Sequence, residues 1–130
     1  MTASCHLCHD PAVAAAHPDW CQHEGDGSSR PALCLNGPYV AKVVWPWMNH
    51  ALADANCDLL EFIVSDAEGR PCWCETCTQH MREAGMNPDD PAARGKFARD
   101  SLRRFQNETT TYACSVRPGV RVAFRFGPQA

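Results

Sequence analysis

A chain of 130 residues with 45% apolar content can fill one compact core. It is too short to close a barrel of eight strand-helix units, which takes about 250 residues. A formal net charge of -3 gives no general pull toward nucleic acid or an anionic membrane. No apolar run approaches the roughly 18 residues of a membrane span, and Met1 to His6 lacks the basic start and apolar stretch of a secretory signal. The nine cysteines are odd in number and clustered, so reduced thiols in the cytoplasm are expected rather than an extracellular disulfide scaffold.

Residues 1–31 are expected to form an irregular N-terminal segment. Cys5-His6-Leu7-Cys8-His9 has the C-x-x-C-H spacing of covalent c-type haem attachment, but that chemistry needs export, for which no signal is visible. Zinc ligation by Cys5, Cys8 and His9, with Cys21 or His23, competes with a disordered thiol-bearing tail. Ala12 to Ala16 has room for one short helix ended by Pro18. Gly25 to Pro31 is rich in turn formers and reads as an exposed loop.

A second region, residues 32–127, carries the regular structure. Ala32-Leu33-Cys34-Leu35 reads as a short buried strand that runs into the Asn36-Gly37-Pro38 turn. From Tyr39, apolar residues recur at three- and four-residue steps through Val43, Trp47 and Leu52 to Ala55, predicting a helix with one buried face. Pro46 lies inside it and removes a backbone donor, so a kink or break is expected near Val43 to Trp45. Asp58 to Val64 is apolar with little alternation, which suits a strand covered on both faces. Glu61 interrupts that run, and a carboxylate there must face a polar site or pair with a cation, because burying it alone is costly. Asp66 falls just past the strand's C-terminal end, the edge where α/β folds collect ligand-handling residues. A solvated loop aspartate is the plainer reading.

Cys72-Trp73-Cys74-Glu75-Thr76-Cys77-Thr78-Gln79-His80 then concentrates four ligand-type side chains within nine residues. The spacing lets two thiolates converge from a loop while Cys77 and His80 share the first turn of the next helix, giving a tetrahedral zinc site. The alternative is that reduced thiols pack under the loop as small apolar groups. A helix from Glu75 to Ala84 is stopped by Gly85. Another runs from Pro91 to Val116, with Asp90 as its N-cap. Val120, Val122, Phe124 and Phe126 alternate with Arg121, Ala123 and Arg125 in a final strand. The order β-α-β-α-α-β implies parallel strands with right-handed crossovers.

Several of these segments together carry a resemblance. His17-Pro18-Asp19-Trp20, Cys34-Leu35-Asn36-Gly37-Pro38-Tyr39-Val40, Pro71-Cys72-Trp73-Cys74-x-x-Cys77, Gly85-Met86-Asn87-Pro88-Asp89-Asp90 and the helix through Phe97, Ser101 and Phe105 to Arg117-Pro118 resemble a family of glycoside hydrolases. Its members are similar to bacterial α-L-fucosidases and β-galactosidases and are described as TIM-barrel enzymes several times longer than this chain. The resemblance covers residues 17 to 127 and implies part of a (β/α) barrel, about three parallel strands with flanking helices. It also implies two carboxylates across a glycosidic bond. In the family an Asp-Gly-x-x-x-Asp pattern ends the strand before the cysteine loop. Here Asp58 matches its first aspartate, while Leu59 and Ile63 stand at the glycine and second aspartate. Asp66 or Glu61 is then left as the catalytic carboxylate, the other coming from a later strand. Cys72, Cys74 and Cys77 match the family's loop, where they order the barrel's rim.

Two functions of different kinds stay open. One is a glycoside-hydrolase-like fragment that acts on or binds carbohydrate, as an incomplete glycosidase, through Asn36, Tyr39, Trp73 and a carboxylate. The other is a small zinc-stabilised binding or structural module without hydrolase activity. Either way, three parallel strands leave two open edges, which implies self-association or a missing barrel half.

Overall fold

The computed structural model describes residues 1–64 and 70–126. The architecture is α/β, built on three parallel strands in the order β1 (Thr2–His6), β4 (Leu59–Val64), β5 (Arg121–Phe126). Glu61 of the central strand lies level with Ser4 on one side and Ala123 on the other. The expectation of three parallel strands with flanking helices is met, but its first strand is misplaced. Thr2 to His6, expected to be irregular, alternates polar Thr2, Ser4 and His6 with Ala3 and Cys5, and that period of two lets β1 pair with β4. Ala32 and Leu33 instead end β3 (Ser29–Leu33), which pairs antiparallel with β2 (Cys21–His23) in a separate hairpin. The turn of that hairpin is fixed by Asp26, whose carboxylate accepts from the Ser28 amide at 2.9 Å.

The first crossover contains a short helix α1 (Pro11–Ala16), the hairpin and a longer helical stretch. In that stretch α2 (Trp45–Asn49) is flanked by π-helical turns Val40–Val44 and His50–Asp54. Pro46 therefore does not break the helix. Lacking an N–H, it is accommodated by a wider turn, in which the Trp45 amide reaches back five residues to the Val40 carbonyl. After the cysteine loop come α3 (Glu75–Glu83) and α4 (Pro91–Val116). Asp90 caps α4 by accepting from the Ala92 amide at 3.0 Å, with Pro91 in the first turn, as the sequence leads one to expect.

The helices cover one face of the sheet. Leu60, Phe62 and Val64 of β4 are buried there, against Met48 and Leu52 of the first crossover and Phe105 and Ala113 of α4. The Phe62 ring is 0% exposed, stacked on Phe124 at 5.2 Å and met edge-on by Phe105 at 5.4 Å and Trp47 at 5.7 Å. The opposite face, with Leu59, Glu61 and Ile63, is only half-buried. The strand is thus covered on one face, not on both as its apolar density suggested. A smaller cluster of Cys34, Cys74, Cys77, Met81 and Phe97 forms a second, sulfur-rich core.

The C-x-x-C-H segment is consumed by the fold. Cys8 turns the chain at the end of β1 with φ 66° and is 0% exposed, and burial pushes the Cys5 thiol up to about 11. Neither belongs to a convergent ligand group among the described residues.

Replacing Phe62 by alanine should cost about 3–5 kcal/mol of unfolding free energy in a urea titration. Phe126→Ala, at a ring 63% exposed on the sheet's edge, should change it by less than about 0.5 kcal/mol.

Candidate metal centre

The hairpin lies beyond the C-terminal end of β1, held there by the Leu33 amide donating to the Cys8 carbonyl at 2.9 Å. The first residue after β3 is Cys34, whose amide donates to the Trp20 carbonyl at 2.9 Å. Its thiol meets three others arriving from the chain after β4. Cys72 and Cys74 come from the loop and Cys77 from the first turn of α3. Cys74 is the N-cap of that helix, its sulfur accepting from the Cys77 amide at 3.4 Å. The positive end of the helix therefore faces sulfur, which favours thiolate.

The four sulfurs lie within 4.8 Å of one another. Cys34 Sγ is 3.5 Å from Cys77 Sγ and 3.7 Å from Cys74 Sγ. A tetrahedral zinc with bonds of about 2.3 Å has sulfur–sulfur edges of about 3.8 Å, so this donor set fits the ion both in chemistry and in size. A cavity of about 20 Å³ opens beside Cys34, Cys72 and Cys77. That has room for an ion or a water, not a sugar.

The thiols also perturb one another. Hydrogen bonding from Cys34 holds Cys72 and Cys74 below the ordinary cysteine range, while bonds to Cys72 and Cys74 push Cys34 above it. Cys77 is lowered by Cys34 but raised further by Cys72, Cys74 and burial, and ends above its usual value. Amide donors complete the surround. The Asn36 amide donates to Cys34 Sγ at 3.4 Å, and its side-chain nitrogen to Cys77 Sγ at 3.7 Å and Ser101 Oγ at 3.0 Å.

The structure therefore brings Cys72, Cys74 and Cys77 together, and the fourth member is Cys34, not His80. His80 lines a different groove with Leu35, Asn36 and Arg104. The reason is helical: Cys77 and Met81, four apart, point into the sulfur-rich core, and His80 sits about 60° round the helix from Cys77. Cys34 carries only a weak signal in sequence, a cysteine just before a turn, in a run that has the pattern of strand core.

The residues expected to meet sugar are otherwise engaged. Tyr39 is 2% exposed and its hydroxyl accepts from the Cys8 amide at 3.3 Å, leaving no open ring face. Asn36 braces the thiols, and its carbonyl oxygen accepts from Arg104 at 2.5 Å. The Trp73 ring lies under the Arg94 guanidinium, 4.0 Å from its centroid, and against Gly25. Glu61 lies on the half-buried face of the sheet, its carboxylate accepting from Ser4 Oγ at 3.2 Å and paired with Arg125 Nε at 2.5 Å. A cation does answer the carboxylate, as burial cost requires. Asp66 lies outside the described residues.

No protein-family model matches the chain, and no curated protein does. A solved structure is similar: α-L-fucosidase isoenzyme 2 from Paenibacillus thiaminolyticus, with a TM-score of 0.79 and 18% identity. The match covers 95% of this chain and 20% of that one, so the present chain spans about a fifth of the neighbour's length. At this identity the likeness shows a shared fold and no more: these β/α units are arranged as in the matched part of that structure.

Proposed function

We propose that this chain is a carbohydrate-handling β/α segment of the fucosidase-like kind, whose rim is fastened by a structural zinc bound to Cys34, Cys72, Cys74 and Cys77. The observation that carries the metal is the sulfur spacing, 3.5 and 3.7 Å from Cys34 to Cys77 and Cys74. Four thiolates close the coordination shell and leave no open position for a reacting water, so the ion would supply folding energy rather than chemistry. The carbohydrate part of the reading rests on the fold shared with the fucosidase.

Glycoside cleavage takes two carboxylates flanking the bond. Among the described residues, Glu61 is the carboxylate on the open face of the sheet; Glu61 or Asp66 is proposed as one of the two, the other being supplied by a further strand. Parallel sheets are normally covered on both faces, so we infer that further β/α units complete this face, from a longer protein, a second copy or a partner. Without them this chain is a binding and structural unit, not a hydrolase by itself.

The purified chain should retain one zinc per molecule after dialysis, measured by release to a chromophoric chelator. Cys34→Ser should weaken that binding at least about tenfold, and His80→Ala should leave it unchanged. A chain that holds no metal, or one whose zinc depends on His80, would refute the centre. In a separate assay the chain alone should not release nitrophenol from aryl α-L-fucosides. Turnover that disappears in Glu61→Gln would show that the segment is catalytic on its own.

A further inference from the structure

We propose that Arg94 is the positioning residue of the metal centre: its guanidinium sets the backbone of two thiol ligands before the ion arrives. This rests on the metal reading above. Arg94 stands in the first turns of α4 and is 3% exposed, an unusual place for a cation unless acceptors answer it. Its Nη1 donates to the Cys72 carbonyl at 2.9 Å. Its Nη2 donates to Thr78 Oγ1 at 2.8 Å, and that hydroxyl donates to the Cys74 carbonyl at 3.0 Å. Its Nε donates to the Pro88 carbonyl at 2.6 Å, which anchors the fork to the turn before α4. One side chain thus holds Cys72 directly and Cys74 through a single hydroxyl, while its flat face covers the Trp73 ring between them.

A second cation holds the same loop from the other side. Arg30 of β3 donates through Nη2 to the Pro71 carbonyl at 2.7 Å and to Gln22 Oε1 at 2.6 Å. Successive carbonyls, of Pro71 and Cys72, are therefore gripped by arginines from two elements, which fixes the backbone that aims Cys72. A zinc with four thiolates carries a net charge of about -2, and guanidinium groups bonded to the ligands' own backbone offset it. The fork matters as much as the charge, because an ammonium cannot meet three acceptors in that planar arrangement.

The test uses the full chain and zinc competition against a chromophoric chelator, with cobalt substitution as a spectral report on the ligand set. Arg94→Met should weaken zinc binding by about 10–100-fold, the range for ligand-supporting partners. Arg94→Lys should lose nearly as much. Thr78→Val, which severs the link to Cys74 alone, should show a smaller loss and covers the case in which Arg94→Met does not fold. All should keep the sulfur-to-cobalt charge-transfer bands, since the four thiols remain. Parent affinity in Arg94→Met, with melting temperature lowered equally in the presence and absence of zinc, would reduce Arg94 to a packing role and overturn the proposal. So would rescue by Arg94→Lys, or unchanged affinity in Thr78→Val. Failure of the unaltered chain to bind zinc would instead sink the metal centre itself.

Discussion

The thiol of Cys34 has to find those of Cys74 and Cys77 across 40 and 43 residues of chain, and the outer layer of the structure follows from that meeting. It joins the β2–β3 hairpin to the loop and helix that follow β4, alongside the Trp73 amide donating to the His23 carbonyl at 2.9 Å. The residues around it are small and sulfur-bearing: Cys34, Cys74, Cys77 and Met81, with Phe97 from α4 as the one large ring. A cluster of this size buries little area, and apolar burial yields about 25 cal/mol per Å². Metal binding is the natural supplement where a local core is small. The arginines fit the same logic: buried Arg94 is answered by carbonyl and hydroxyl oxygens, and half-buried Arg30 by the Pro71 carbonyl and Gln22 as well as by Glu24.

The main core obeys different physics. It is a layer of helices on one face of a parallel sheet, centred on Phe62 and its three aromatic neighbours. Its other face carries an ion pair, Glu61 with Arg125, where a fully covered parallel strand would carry aliphatic residues. The chain is therefore asymmetric: one side is a finished protein interior, and the other is a surface with polar groups already paired. The neighbouring fucosidase, of which the match covers 20%, is long enough to place this kind of unit among others.

The parts of the fold set by local pattern were readable from sequence. Asp90 and Pro91 announced α4, and the arginine-aromatic alternation announced β5. Three of the four thiols were legible because they fall within six residues of one another. The fourth was not, because Cys34 joins them only through tertiary structure, and a cysteine in Ala32-Leu33-Cys34-Leu35 looks like any small core residue. His80 misled for a related reason: its spacing from Cys77 is right for a shared helix turn, but the buried stripe passes through Met81. The strand Thr2–His6 was hidden by the C-x-x-C-H spacing, although Ala3, Cys5 and Leu7 already alternate. Aromatic faces suit sugar rings, so Tyr39, with Asn36 beside it, is expected from sequence to contact ligand. Here they hold Cys8 and Cys77 instead.

The most direct test of the account is zinc K-edge X-ray absorption on the metal-loaded chain. Four sulfur scatterers at about 2.3 Å, with no nitrogen in the shell, are the result it predicts. A shell containing imidazole nitrogen or water oxygen would contradict it, because the tetrathiolate centre would then not be what binds the hairpin to the loop.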